Sequence, residues 1–334
     1  ALPPGQRTLI TLVLRKLLAS STFAIASALR TMAGRLRARL AGSDDGLVGN
    51  ELAEDFESLD ATSEEWDDGE VPPPLSEADR VAYANEIADL ERFAALAESI
   101  PHNAKGSALI RGLEAAFERT RTLGGAEKAI IFTESRKTQA YLLRLLADSP
   151  WADGIVLFNG TNTDEGSKKI YAEWLARHAN SDRVTGSRSA DMRSALVDYF
   201  RESGRIMIAT EAGAEGINLQ FCSLVVNYDL PWNPQRIEQR IGRCHRYGQK
   251  HDVVVVNFLN RKNEADARVF ALLDQKFKLF EGVFGASDEV LGAIESGVDL
   301  ERRIAAIYQQ CRHPDEIRGA FDDLQRELSL EIDE

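Results

Sequence analysis

Short apolar runs recur through the middle of this chain, and each is followed by a stretch with helical periodicity. The runs are almost entirely apolar, which is typical of strands that are buried on both faces. Strands that alternate with helices favour an α/β fold with a mostly parallel sheet covered by helices on both sides. We predict strands at 129–133, 155–158, 206–209, 224–228 and 253–258, with helices at 137–146 and 192–200 between them.

An unusual run of arginines follows the fourth strand. In residues 239–246 (QRIGRCHR), Arg240, Arg243 and Arg246 recur every third residue. Like charges at helical spacing repel each other unless an anion lies among them. A phosphate is the obvious candidate, because the planar guanidinium matches its oxygens. The alternative interpretation is a solvated basic helix face.

The sequence before the arginines favours the phosphate interpretation. The strand at 206–211 runs into a glycine-containing loop at 212–220, and a further strand at 224–229 is followed by the turn at 231–234. This order of elements predicts a ligand site at the strand ends. We interpret Trp232 in that turn as buried, with stacking on a nucleic-acid base as the alternative.

Three segments resemble motifs of superfamily-two helicases. Residues 210–220 (TEAGAEGINLQ) resemble motif V, residues 239–246 resemble motif VI, and residues 128–136 (KAIIFTESR) are similar to motif IV. The ending HRYGQ at 245–249 is similar to that of the Swi/Snf branch, and a region near residue 22 loosely resembles bacterial RapA-like members. The resemblance covers residues 105–280. It implies a RecA-like fold, the second lobe of a two-lobe motor, with extra N-terminal and C-terminal helices.

The resemblance implies roles for individual residues. Arg243 and Arg246 would act as catalytic arginines that reach the γ-phosphate of ATP across the cleft between the lobes, and Gln239 would position nucleotide or water. Gly216 and Asn218 match the loop that approaches the nucleotide, where glycine allows close approach of the backbone. Contacts to the nucleic-acid backbone, which position a strand without reading its sequence, would come from Thr133, Ser135, Arg136, Thr210, Glu211 and Ala212.

The chain lacks the parts that hold a triphosphate. No phosphate cradle of the form G-x-x-x-x-G-K-[ST] occurs in its 334 residues, and no acidic magnesium-binding box follows a buried strand. The resemblance therefore implies that ATP with Mg is bound mainly by a missing N-terminal RecA-like lobe of the same protein. The chain begins at Ala1 without methionine, so we expect it to be part of a longer protein and inactive alone.

The function implied by the resemblance is that of an ATP-dependent translocase or helicase on duplex DNA, in a bacterial cytoplasm at the nucleoid. One alternative is a non-catalytic nucleic-acid or protein binding module with a degenerate helicase fold. Another is a complete small α/β enzyme, although no nucleophile or acid–base constellation is visible in the sequence. The sequence does not decide between DNA and RNA, or the pathway served.

The net charge of −13, taken over the whole chain, is unfavourable for a nucleic-acid partner. However, residues 44–79 contain 14 acidic residues and no lysine or arginine. Outside that stretch, 39 acidic residues face 40 basic ones, a net charge of +1. The acidity is therefore a property of one segment, which its low hydrophobicity and its proline run predict to be disordered. We interpret it as a solvated linker, with mimicry of a phosphate backbone as the alternative.

We divide the chain into four parts. These are N-terminal helices at 1–42, the acidic insert at 43–78, the helicase lobe at 79–262 and a helical extension at 263–334. An insert at 162–186, with a helix near 170–177, interrupts the connection that the family usually makes directly. Four arginines lie on the second N-terminal helix, at 23–40; we interpret them as a solvated face, with contact to nucleic acid as the alternative.

Neither a metal site nor a membrane partner is predicted. Cys222, Cys244 and Cys311 show no paired spacing, which fits free thiols in a reducing compartment. Cys244 and His245 with His251 match no standard ligand set. No apolar run approaches the length of a membrane span.

Overall fold

The computed structural model describes residues 14, 16–18, 20–42, 76–100, 103–179, 181–260, 264–275, 297–311 and 313–333. The predicted acidic insert, up to residue 75, and most of the predicted first helix lie outside this part. The elements in chain order are α1 (Thr22–Leu40), α2 (Glu77–Glu98), α3 (Ala104–Thr122), β1 (Ala129–Phe132), α4 (Arg136–Ala147), β2 (Ile155–Phe158), α5 (Glu165–His178), α6 (Arg188–Glu202), β3 (Ile206–Ala209), α7 (Glu211–Ala214), β4 (Leu224–Asn227), α8 (Pro234–Ile241), β5 (Val254–Asn257), α9 (Glu264–Gln275), α10 (Gly297–Gln310) and α11 (Pro314–Asp333).

The five strands form one parallel sheet in the order β2-β3-β1-β4-β5. In the centre of the sheet, Ile131 of β1 pairs with Ile208 of β3 and with Val226 of β4. Strands β1, β3 and β4 are buried along their whole length, which is why their sequences are continuously apolar. The predicted α/β fold, a parallel sheet flanked by helices, is confirmed.

Alternate residues of each strand serve the two faces of the sheet. Ile130 and Phe132 of β1 belong to a core shared with α6, α8 and the C-terminal helices. Ala129 and Ile131 belong to a second core, shared with α3 and α4. This alternation is the side-chain period of a strand. The C-terminal helices α9 to α11 thus complete one face of the sheet.

The N-terminal helices α1 and α2 pack side by side as an antiparallel pair. Arg30 of α1 forms an ion pair with Glu98 near the end of α2, and Arg37, a turn or two later, pairs with Glu91. An apolar seam between the helices includes Ile25, Leu29 and Ala94. At least two of the arginines that were interpreted as a solvated face are therefore matched by carboxylates of the neighbouring helix.

The predicted insert contains one well-packed helix, α5. Its Trp174 is buried, and the indole N–H donates to a carboxylate oxygen of Asp198 on α6 at 2.9 Å. Asp198 also pairs with Arg183 and Arg201. The insert therefore packs against α6. The helix α5 is longer than the predicted one, because it begins at Glu165, directly after its cap Asp164.

The predicted boundaries are otherwise close to those observed. The strands predicted at 155–158 and 206–209 match β2 and β3. The strand predicted at 224–228 ends one residue earlier, at Asn227. Ser21 caps α1, since its hydroxyl accepts a hydrogen bond from the backbone N–H of Ala24 at 3.1 Å. The predicted helical extension from residue 263 begins with α9, and residues 276–296 lie outside the described part.

We predict that alanine at Gly213 destabilises the sheet edge. A Cβ atom there would lie 2.6 Å from the Cα of Asn159 and 2.7 Å from the carbonyl oxygen of Phe158. Because both are backbone atoms, they cannot rotate away, and we expect Gly213→Ala to cost about 1–3 kcal/mol of unfolding free energy. Urea unfolding measures this. The control Gly34→Ala has open space in α1 and should be neutral or stabilising; equal effects of the two changes would contradict the prediction.

Candidate nucleotide and nucleic-acid interface

Four polar residues lie just beyond the ends of four neighbouring strands. Asn159 follows β2, Thr210 follows β3, Thr133 follows β1, and Asp229 lies two residues beyond β4. Because all the strands are parallel, these residues share the carboxyl edge of the sheet. In open α/β sheets, this is the edge at which ligands bind.

The buried carboxylate of Asp229 organises this edge. Its Oδ2 accepts hydrogen bonds from the hydroxyls of Ser20 at 2.9 Å and Thr133 at 2.6 Å. The same oxygen accepts a bond from the backbone N–H of Glu134 at 3.1 Å, and Oδ1 pairs with the ammonium of Lys105, also at 3.1 Å. A buried charge is tolerated when it is compensated in this way. Asp229 thereby joins the N-terminal segment, α3 and β1 to the end of β4.

Arg240 is directed into the protein, which corrects the expectation that three arginines line one face. It is only 1% exposed. Its Nε donates to Glu211 at 2.7 Å, and its Nη1 donates to the side chain of Asn227 at 3.1 Å and to the carbonyl of Asp229 at 2.7 Å. The helix α8 ends at Ile241, so Arg243 and Arg246 lie in the turns beyond it and do not continue its spacing. The anion that Arg240 needs is supplied by Glu211.

Arg243 is in a different situation. It is half-buried, and its guanidinium makes no hydrogen bond or ion pair with the residues that the structure describes. Partial burial lowers the pKa of Arg243 below its ordinary value, and the neighbouring charges of Arg246 and Arg193 lower it further, against the opposing effect of Glu211. The side chain stays protonated at neutral pH. Glu215 opposes the shift as well, so the charges of two cations and two carboxylates reach this guanidinium.

Arg246 and Gln239 are the other two predicted catalytic residues, and both are exposed. The Nε of Arg246 donates to the carbonyl of Gly242 at 2.9 Å, which steadies the chain after α8. Its proximity to Arg243 is seen in the pKa of Arg243. Gln239 lies on α8, one residue before the buried Arg240.

The predicted nucleotide loop lies against the arginine segment. The backbone N–H of Leu219 donates to the carbonyl of Arg243 at 2.9 Å. Gly216 is exposed with a φ of 75°, a conformation that favours glycine, and Asn218 is exposed with its Oδ1 accepting the N–H of Gln220 at 3.2 Å. The structure thus brings Gly216 and Asn218 to the same side of the sheet edge as Arg243.

Arg193 is a site residue that the sequence analysis did not select. It lies on α6, and its guanidinium donates to the carbonyl of Glu215, directly before Gly216. It also lies over the ring of Phe158, with its Cζ 5.3 Å from the ring centroid. Arg193 therefore adds a third guanidinium near Arg243. Its position in an ordinary amphipathic helix gave no local signal; only the fold brings it to the site.

The residues predicted to contact nucleic acid differ in burial and in hydrogen-bond partners. Thr133, Ser135 and Thr210 are buried: Thr133 donates to Asp229, Ser135 caps α4, and Thr210 accepts from the N–H of Gly213 at 3.4 Å. Glu211 is paired with Arg240. Arg136 is half-buried at the start of α4. Ala212 lies in α7, and its side chain is outside the description. A role of these residues in binding nucleic acid remains a prediction.

The site has the composition of a phosphate site more than that of a magnesium site. The two carboxylates at its inner edge, Glu211 and Asp229, are already occupied by Arg240 and Lys105. Within the described ranges, no group of three or more His, Cys, Asp or Glu side chains is arranged to hold a metal ion.

The described helices include none that is long and apolar enough to cross a membrane.

Comparison with known proteins agrees with this geometry. Residues 115–248 match the family described as helicase conserved C-terminal domain. The matched segment contains strands β1 to β4, the glycine loop and the arginines at 240, 243 and 246. That part of the chain is therefore similar to the C-terminal domain of helicases.

Curated relatives are helicases and remodelling proteins. An uncharacterized ATP-dependent helicase of Bacillus subtilis, YqhH, is 37% identical over 203 residues, which is 61% of this chain and 31% of the relative. The RNA polymerase-associated protein RapA of Serratia proteamaculans is 43% identical over 77 residues, 22% of this chain and 8% of RapA. The chain spans less than a third of the length of either relative.

Among solved structures, the chain has a weak similarity to the C-terminal part of the Fun30 ATPase domain. It has 18% sequence identity and a TM-score of 0.38, and the alignment covers 68% of this chain and 67% of that one. Domain 2 of the DEAD-box helicase Mss116p, bound to an RNA duplex, has 18% identity and a TM-score of 0.37, with 65% and 81% covered.

We predict unequal effects on stability for substitutions of Arg240 and Arg243. Arg240→Met leaves the half-buried carboxylate of Glu211 without its cation and the acceptors on Asn227 and Asp229 without their donor, and we expect it to cost about 3–5 kcal/mol of unfolding free energy. Arg243→Met removes a charge that has no partner among the described residues, and should change stability by less than about 1 kcal/mol. Urea unfolding of both variants tests this. A larger loss for Arg243→Met than for Arg240→Met would contradict the assignment of Arg240 as the structural arginine.

Proposed function

We propose that this chain is the second RecA-like lobe of an ATP-dependent motor that moves along duplex DNA, with Arg243 and Arg246 as its arginine fingers. The observation that carries the proposal is the half-buried guanidinium of Arg243. It lies near two other guanidiniums and, although the charges of Glu211 and Glu215 reach it, it makes no hydrogen bond or ion pair with the described residues. A guanidinium held in this way at a ligand-binding edge can form charge-assisted hydrogen bonds with a phosphate from outside the lobe.

The chemistry follows from the charge of these residues. During phosphoryl transfer, negative charge spreads over the equatorial oxygens of the γ-phosphate, and arginines that reach it stabilise the transition state. Arg243 and Arg246 would make this contact, while Gln239 would orient nucleotide or water. Gly216 and Asn218 would let the backbone approach the nucleotide. ATP supplies the phosphoryl group, and Mg would be held by the carboxylates of another lobe, since the acidic residues at this edge are already paired.

That other lobe is part of the proposal. The sequence contains no phosphate cradle, so the triphosphate must be held by a second RecA-like lobe that closes on this one. Binding of ATP between the lobes would close the cleft, and hydrolysis would open it. We propose that the whole protein acts in a bacterial cytoplasm, at the nucleoid.

Contact with DNA is proposed for the surface around the ends of β1 and β3. Arg136, half-buried at the start of α4, would pair with a backbone phosphate. Thr133, Ser135 and Thr210 would support this surface from inside the protein, because they are buried and their hydroxyls form internal hydrogen bonds. Glu211 and Ala212 lie in α7, between the nucleotide loop and this surface, where they would couple the two. We propose duplex DNA rather than RNA as the partner, because the ending at 245–249 resembles that of the Swi/Snf branch.

The test is ATP hydrolysis by the protein in which this lobe is joined to its phosphate-cradle lobe. We expect duplex DNA to stimulate turnover, and Arg243→Ala or Arg246→Ala to lower kcat by about 10³-fold or more, as for a true arginine finger. Arg177→Ala, which loses only an exposed ion pair with Glu202, is the matched control and should retain activity. Normal turnover in the Arg243 variant would contradict the finger assignment. Absence of ATPase activity from the unmutated two-lobe protein would favour the non-catalytic binding module.

A further inference from the structure

A buried cluster of charges joins the two ends of the chain to the lobe. The ammonium of Lys16, in the segment before α1, lies 3.3 Å from a carboxylate oxygen of Glu134 and 3.0 Å from one of Glu301. Glu134 follows β1, and Glu301 lies on α10. All three side chains are largely shielded from water. A second cation, Arg236 of α8, is close enough to influence both Lys16 and Glu301.

The same lysine covers the turn that leads into the arginine segment. The Nζ of Lys16 lies 5.6 Å from the ring centroid of Trp232, which is buried. Tyr308 of α10 also lies beside that tryptophan, with a centroid separation of 6.3 Å. The next residue, Asn233, caps α8 through the backbone N–H of Gln235. The position at which α8 begins is therefore determined by contacts from both ends of the chain.

The charges in the cluster depend on one another. Lys16 and Arg236 lower the pKa of Glu301 despite its burial, and the two carboxylates raise the pKa of Lys16 despite its own burial. Burial raises the pKa of Glu134, whose backbone N–H also bonds to Asp229. Removal of one member of such a cluster leaves an opposite charge buried and uncompensated, which is far more costly than loss of an exposed pair.

We propose that Lys16 and Glu301 are positioning residues for the arginine fingers. They lie outside residues 115–248 and do not belong to the finger set. By holding Glu134 and the Trp232 turn, they fix the start of α8, and α8 in turn carries the chain to Arg243 and Arg246. The catalytic consequence of this inference rests on the proposed function, whereas the placement of α8 can be tested without it.

The first experiment measures hydrogen–deuterium exchange of backbone amides in the chain, comparing the unmutated protein with Lys16→Met. We expect amides in 234–246 to exchange at least about ten-fold faster, through local opening, while those of β1 and β3 keep their rates. Lys16→Arg, which keeps the charge, should restore most of the protection. Arg30→Met, which loses only the exposed pair between Arg30 of α1 and Glu98 of α2, is the control and should leave 234–246 unchanged.

Two results would overturn the positioning role: no change in 234–246, or an equal acceleration across the strands of the sheet, which indicates global destabilisation. If Lys16→Met does not fold, Glu301→Gln serves instead, since it keeps the pair between Lys16 and Glu134.

In the two-lobe protein, Lys16→Met should lower kcat while the KM for ATP stays near its original value. A rise in KM with kcat unchanged would overturn the link to the fingers. An inactive unmutated protein would overturn the proposed function, and the exchange result would then decide the positioning role.

Discussion

The carboxylate of Asp229 is the interaction on which the rest of the site depends. It is buried two residues beyond β4. Its charge is compensated by a lysine, two hydroxyls and a backbone N–H, which come from three separate parts of the chain. A single uncompensated charge at this depth would cost several kcal/mol. The elements that supply these donors must therefore arrive together. The backbone carbonyl of Asp229 also accepts from Arg240 at 2.7 Å, so the same residue ties the ordered edge to α8.

The arginine segment shows how burial assigns different tasks to one residue type. Arg240 has an internal carboxylate, an amide oxygen and a carbonyl as acceptors, and it packs 5.0 Å from the ring centroid of Phe132. Its charge is satisfied before any ligand binds. Arg243, three residues later, lies close to other cations, and partial burial lowers its pKa. The first arginine consequently stabilises the fold, and the second remains available to an anion.

The strands were predictable because burial on both faces of a parallel sheet requires an apolar sequence, as in 206–209 and 224–227. The helix caps were partly predictable, since Ser21 and its neighbours mark a break in the apolar pattern. The direction of Arg240 was not predictable, because its partner Glu211 lies 29 residues away and nothing in the local spacing identifies it. Arg193 was missed for the same reason, and the contact between Lys16 and Glu134 spans 118 residues. Local rules predict elements, but the pairing of charges depends on the completed sheet.

A boundary drawn from motifs differs from one drawn from packing. The segment 115–248 contains the residues with an expected chemical role, yet β5, which completes the sheet, begins at Val254, and α9 to α11 complete one of its two cores. Lys16 and Ser20 reach the edge from the opposite end of the chain. Buried polar groups must be satisfied wherever their partners lie in the sequence. The flanking segments are therefore physically part of the site, because the charges that they compensate lie beneath the residues that would meet the nucleotide.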